Sequence, residues 1–461
     1  MFRVLAALAV LTAAAVAPAA SAAAFTPCAD AGSHPALAGS QCLVETLPLD
    51  HATPSSGTID LFVRRFPAEG RRKGEVWLLA GGPGETGASL YPALANFRRA
   101  YPGYDLVVPD HRGTGFSSKI CEKEEAPASP DGIGLAGQEW GPCIGAMHAN
   151  VLRTQAFNTN NAARDLARLI TVHRRPGKVH LYGVSYGTQL ALRMLAISPV
   201  KLDGLVLDGL VPAFGVDRWD LSRRTAVVDA VGRATLSPAQ QAALARLEAD
   251  AVAAKPAWLG DVPGGDLRRF MGMLLTFPEH RARIPSLIES LGRGDTTLLA
   301  RMKVDLETAY AGLSAFPQSP PSMPLIMLIN GSEMNSRRDL TRATIDAEAE
   351  GALFTSPIPG HLVGSPAPLY DRPAEYERLP AALPRTLVVH GTLDPNTPYE
   401  GALAHVAALR KAGKVEVTTV EGGAHYLALL DGDCFADSVA RFVAGRKAPA
   451  RCTPTPARNR G

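Results

Sequence analysis

The residues best equipped for chemistry lie in Gly183-Val184-Ser185-Tyr186-Gly187. Val179-His180-Leu181-Tyr182, just before them, reads as a strand. Leu190, Ala191, Met194 and Leu195, just after, recur at helical spacing. A serine between two glycines at a sharp strand-to-helix turn is the G-x-S-x-G arrangement of a lifted nucleophile. Such a turn strains the serine backbone and presses the flanking positions together, so both must be glycine. The helix N-terminus offers backbone N–H groups to developing negative charge. A plain Gly-rich turn is the alternative; the placement between strand and helix speaks against it.

A serine hydroxyl needs a base, and the base needs an orienting acid. In this arrangement the chain order is Ser, acid, His. His425 stands in a Gly-rich loop, Glu421-Gly422-Gly423-Ala424-His425, after the strand-like 415–420. Loops at the carboxyl edge of a sheet are where catalytic groups collect. His390 lies inside the apolar run 385–391 and reads as a packed strand-end residue. His280, His361 and His405 read as surface or packing residues. Asp394 is the expected acid, because it follows the same 385–391 run in the turn Gly391-Thr392-Leu393-Asp394-Pro395. Asp208, at another strand end, is the alternative. Asp431 and Asp433 follow His425 too closely and read as a polar turn.

The expected oxyanion donors are the backbone N–H groups of Gly82, in Leu79-Ala80-Gly81-Gly82-Pro83-Gly84, and of Tyr186. A phosphate-binding glycine loop is the rival, but the GKS/T ending and the G-x-G-x-x-G spacing are both missing. Asp110, His111 and Arg112, in the stretch 109–117, read as a tight turn whose polar groups hold neighbouring loops. No H-E-x-x-H or comparable ligand cluster occurs, so neither a metal nor a cofactor is expected.

Positioning these groups requires a sheet. Strands are expected at 58–66, 75–81, 104–110, 179–184, 202–209, 385–391 and 415–422. Several are nearly continuous apolar runs, as suits strands covered on both faces. Helical patterns between them, such as 158–175, indicate an α/β fold with a mostly parallel central sheet. The alternation breaks between about 213 and 380, where the chain turns helical and then proline-rich. This reads as a helical cap insertion at 213–382, dividing a core of 25–212 and 383–461. The apolar run 324–330 fits a strand or a buried helix turn equally well.

With 461 residues and 46% hydrophobic residues, a sizeable core can be buried. The net charge of +3 is too small to suggest nucleic acid, and the short basic runs at 71–73 and 98–99 read as solvated faces. Residues 1–24 carry one basic residue, Arg3, then an apolar run, then small residues. That is the pattern of a secretory signal peptide. The apolar run is too short to favour a membrane span. Export places the six cysteines in an oxidising compartment. Loop-closure cost favours near neighbours, hence Cys28–Cys42, Cys121–Cys143 and Cys434–Cys452. Each would contribute roughly 3 kcal/mol.

Taken in order, AGGPG after a strand, DHRGTGFS, GVSYG, HGTLDPNTP and GGAHY resemble the α/β-hydrolase serine peptidases related to proline iminopeptidase. Within that group the likeness is greatest to the secreted tripeptidyl-aminopeptidase-like branch. The likeness covers about residues 40–210 and 383–445; the middle is only loosely similar. It implies an α/β-hydrolase core and an exported exopeptidase that releases one or a few N-terminal residues from short peptides. It assigns the triad to Ser185, Asp394 and His425 and the backbone donors to Gly82 and Tyr186. It also implies a carboxylate that receives the substrate ammonium, carried over to Glu333 in Leu328-Ile329-Asn330-Gly331-Ser332-Glu333; a surface glutamate is the other reading. Ala80 departs from the pattern, since the family commonly has His before GGPG. A carboxylesterase or lipase would share every one of these catalytic groups. A binding protein on an inactive scaffold would not need them.

Overall fold

The computed structural model describes residues 23–135, 137–213 and 217–454. The signal segment expected at 1–24 therefore lies outside the described residues, apart from its last two.

The strands are β1 (Thr26–Pro27), β2 (Gln41–Pro48), β3 (Thr58–Phe66), β4 (Gly74–Leu79), β5 (Tyr104–Pro109), β6 (Lys178–Val184), β7 (Gly204–Asp208), β8 (Thr386–Gly391), β9 (Val415–Val420) and β10 (Arg451–Cys452). They form one sheet in the order β1-β2-β3-β5-β4-β6-β7-β8-β9-β10. Pairings from β1 through β3 to β5 are antiparallel, and those from β5 to β10 are parallel.

All seven strands expected from the sequence are present. Strands β4, β5, β7 and β8 are buried at every residue, which explains their largely apolar runs. Side chains alternate across the sheet as strand geometry dictates. Trp77 and Leu79 join a cluster with Leu181 and Leu190 on one face. Val76 and Leu78 join Tyr182, Phe97 and Phe435 on the other. Strand β2 was not expected; it mixes buried and exposed residues near an edge and lacks an apolar run.

The helix Thr159–His173 begins where the Asn158 side chain accepts the Asn161 N–H. It lies against the helix Tyr186–Ile197, which starts at the G-x-S-x-G turn. Between Asp208 and Thr386 the described residues contain helices and no strand. This stretch has a core of its own, including Leu244, Phe270, Leu287, Met302 and Phe354. The run left open as strand or helix is the helix Met323–Ile329, continued by a π-helical turn, Asn330–Met334. Disulfides join Cys28 to Cys42, Cys121 to Cys143 and Cys434 to Cys452, the pairing expected from loop length.

Candidate active site

Ser185 has φ 53° and ψ −122°, a conformation that residues other than glycine adopt only at a cost. Its neighbours explain the two glycines. A β-carbon on Gly183 would stand 2.4 Å from Gly187 O, and one on Gly187 would stand 2.7 Å from Leu79 O and Ala80 O. These are backbone atoms of β4 and of the turn itself, so they cannot move aside. The turn is pinned from both sides. Ser185 N donates to Asp208 O at 3.0 Å, and Thr188 Oγ1 donates to Ser185 O at 2.7 Å.

At the end of β8 the Asp394 carboxylate accepts four hydrogen bonds. Asn396 N and Thr397 N reach Oδ1 at 2.7 and 2.8 Å. Thr397 Oγ1 and His425 Nδ1 reach Oδ2 at 2.6 and 2.8 Å. Burial raises the carboxyl's pKa. The facing His425, by charge and hydrogen bond, more than reverses this and leaves Asp394 well below the usual carboxylate range. For His425, burial lowers the pKa, and Asp394 more than offsets it, so the ring stands above the ordinary histidine value. An imidazole whose Nδ1–H is held by a carboxylate presents Nε2 as the basic atom.

Asp208, the alternative acid, serves another purpose. It accepts from Tyr182 OH at 2.9 Å, Leu427 N at 3.1 Å and Ala428 N at 2.9 Å, which ties the loop after His425 to β7. Burial, only partly offset by these bonds, pushes its pKa up to about 6. His390 is fully buried. Leu210 N donates to its Nδ1, so its Nε2 carries the proton and donates to Thr397 O at 2.8 Å. It braces the Asp394 turn from below, a role that sequence reading reduced to packing.

Ser185, His425, Gly82 and Tyr186 all line one cavity of about 470 Å³. Gly82 has φ 104°, and a β-carbon there would stand 2.3 Å from Gly84 N. Tyr186 is the first residue of its helix, so its N–H has no partner within the helix. His280, His361 and His405 do not line the cavity.

Glu333 is placed differently from its expected role. It is fully buried and does not line the cavity. Its Oε1 accepts from Tyr370 OH at 2.7 Å and Thr159 N at 3.2 Å, and its Oε2 lies 3.7 Å from Arg193 Nη2. The π-helical turn that carries Glu333 directs it into this polar cluster. The carboxylates that do line the cavity are Glu85, Asp217 and Asp220. Asp217 pairs with Arg223 at 3.0 Å, and Asp220 lies 3.5 Å from Arg372. Glu85 has no ion pair among the described residues. A β-carbon on Gly81 would stand 2.9 Å from Glu85 Oε2 and 3.2 Å from Ser185 Cβ, so this carboxylate is close to the serine. Glu85 is open to the cavity yet enclosed by protein elsewhere; that enclosure raises its pKa, and His425 partly offsets the rise. Sequence reading missed Glu85, although it stands three residues after Gly82 in the same loop.

The 109–117 turn is structural, as expected. Buried Arg112 forks onto Asp165 at 2.7 and 2.8 Å and donates to Leu49 O and Ala156 O. Asp110 accepts from Gly87 N and Phe116 N. Among the described residues, the one Cys/His/Asp/Glu grouping compact enough for a metal is Cys28, Asp30 and Cys42. Its sulfurs form a disulfide, and Asp30 is bound to Arg64.

A family model for the alpha/beta hydrolase fold matches residues 76–431. The tripeptidyl aminopeptidase of Streptomyces lividans is 25% identical over 90% of this chain and 84% of its own length. The serine protease Hip1 of Mycobacterium tuberculosis is 27% identical over 41% of this chain; the match spans only 39% of that relative. Among solved structures, the proline iminopeptidase of Mycobacterium smegmatis matches 87% of this chain and 98% of its own, at 16% identity and a TM-score of 0.45.

Proposed function

The chain belongs to the alpha/beta hydrolase fold family; on that premise we propose that it is a serine hydrolase, and specifically an exported aminopeptidase acting on short peptides. Ser185 Oγ attacks the scissile carbonyl and passes its proton to His425 Nε2. Asp394 holds the ring in the tautomer this requires. The N–H groups of Gly82 and Tyr186 receive the oxyanion. The amine leaves with the proton from His425, and an acyl ester forms on Ser185. Water then attacks that ester, gives its proton to His425, and frees the acid. The helical segment 213–382 acts as a cap that restricts entry to short chains. The three disulfides suit export.

The observation that carries the aminopeptidase reading is Glu85, a cavity carboxylate close to Ser185 and without an ion pair. Carboxylate charge beside an oxyanion hole opposes the reaction unless a cation covers it, and the substrate's α-ammonium is that cation. The cavity's arginines are otherwise engaged: Arg224 with the Pro395 and Asn396 carbonyls, Arg372 with Glu333 O and Asp220. The relatives named as a tripeptidyl aminopeptidase and a serine protease agree with this reading.

The test is hydrolysis of matched peptidyl amides with free and acetylated N-termini, beside a short-chain aryl ester, with Ser185→Ala as the blank. Turnover confined to free-amine peptides is expected. Turnover of the ester alone would make the protein an esterase.

A further inference from the structure

One buried group in the cavity has no part in the reaction as described. Gln189 lines the cavity and is 1% exposed, yet neither its Nε2 nor its Oε1 has a hydrogen-bond partner among the described residues. A buried primary amide left in that condition costs free energy, so such groups are ordinarily paired. Because both of its polar atoms are unpaired, this holds whichever way the amide is turned. Asn330 lines the same cavity, and its buried Oδ1 is open as well. Asn330 begins the π-helical turn Asn330–Met334, and such turns gather at functional sites.

The place of Gln189 is set by its helix. It lies four residues after Ser185, on the face it shares with Tyr186 and Arg193. Arg193 is occupied by Asn160, the Tyr376 carbonyl and Glu333, and Tyr186 OH by Thr159. Gln189 is the member of this row left free to meet a ligand. What it can meet follows from its chemistry. An ammonium would satisfy only Oε1 and a carboxylate only Nε2. The N–H and C=O of one residue in an extended peptide satisfy both: they belong to adjacent trans amides and point to the same side, the C=O accepting from Nε2 and the N–H donating to Oε1. Four helical residues rise about 6 Å. An extended peptide advances about 3.3–3.6 Å per residue. The matching residue is thus one or two places from the scissile carbonyl.

We propose that Gln189 binds the main-chain N–H and C=O of one residue of the peptide substrate, one or two residues away from the bond that is cut. This rests on the aminopeptidase reading and deepens it: the preferred substrates carry at least one amide besides the scissile one.

The experiment compares wild type with Gln189→Met, and with Gln189→Leu as a second apolar replacement. The substrates are an aryl ester, an aminoacyl arylamide, a tripeptidyl arylamide and a free tripeptide amide. With Gln189 replaced, kcat/KM should fall about tenfold to a hundredfold on whichever longer peptides the wild type cleaves. The ester and the aminoacyl arylamide should stay within about twofold, which also reports that the variant is folded. A uniform fall on all four substrates would make Gln189 a structural residue and overturn the inference. So would an unchanged rate on the longer peptides, or a wild type that cleaves only the aminoacyl arylamide; both leave the aminopeptidase reading standing. A wild type that turns over the ester alone overturns that reading and this inference together.

Discussion

Asp394 Oδ2 lies 2.8 Å from His425 Nδ1, whereas the hydrogen bonds of Asp208 go to Tyr182 and to the two backbone N–H groups that follow Tyr426. The two strand-end aspartates therefore divide the work: one faces the imidazole, and the other anchors the loop that carries it.

Replacing Asp394 with Asn should cost activity on the order of 10⁴-fold in kcat, the loss seen when a serine-peptidase acid is neutralised and the histidine tautomer is wrong. Asp208→Asn should cost far less in kcat. Steady-state assays on both variants decide this; comparable losses would mean that Asp208 shares the role of acid.

The pH profile follows from His425. Its ring must be neutral to accept the serine proton, and its pKa stands above the ordinary value of about 6.5. The acid limb of kcat/KM should therefore lie above pH 6.5 in the wild type. In Asp394→Asn the main supporting charge is gone and burial outweighs the more distant Asp208, so the residual activity should show that limb moved to lower pH. An unmoved limb would assign it to another group.

Asp208 makes a stability prediction with a definite sign. Its folded pKa of about 6 exceeds the unfolded value of about 3.9. The folded state thus holds the proton more tightly, and this contribution is complete below pH 4 and lost as pH rises through 6. The Tm gap between wild type and Asp208→Asn should narrow from pH 4 to pH 7. A gap that widens over that range would contradict the assignment.

Glu85→Gln keeps the side-chain shape and removes the charge proposed to meet the substrate ammonium. KM for free-amine peptides should rise about tenfold or more, since charge-assisted hydrogen bonds are the stronger kind. KM for acetylated peptides or esters should change little. Equal changes on both substrate types would remove Glu85 from recognition.

Arg112→Met should destabilise the fold by about 3–5 kcal/mol, because it leaves buried Asp165 without its fork of hydrogen bonds. Denaturant unfolding measures this directly. A loss below about 1 kcal/mol would mean that His51, 2.7 Å from Asp165, suffices alone.

Groups fixed by backbone punctuation were legible in the sequence. Ser185 announces itself through Gly183 and Gly187, whose β-carbons would collide with backbone. Asp394 and His425 follow β8, a buried run, and β9, a mostly buried one, both of which read plainly as strands. Groups whose meaning depends on what a distant segment places beside them were not legible. Glu333 follows an apolar run that suited either helix or strand, and only the π-helical turn settles which way it faces. Gln189 looks like any polar residue on a helix until Asn330 and Met334, far along the chain, join it around one cavity. Strand β2 escaped because a strand near the sheet edge that mixes buried and exposed residues carries only a weak pattern.

The central claim, that Ser185 is the nucleophile, is tested most directly by covalent labelling. Folded protein is treated with a fluorophosphonate and digested, and the adduct is located by mass spectrometry. The account predicts one phosphonyl group per chain, on Ser185, with labelling slowed by several orders of magnitude in His425→Ala. A folded protein that takes no label, or that carries it on another serine, would contradict the account.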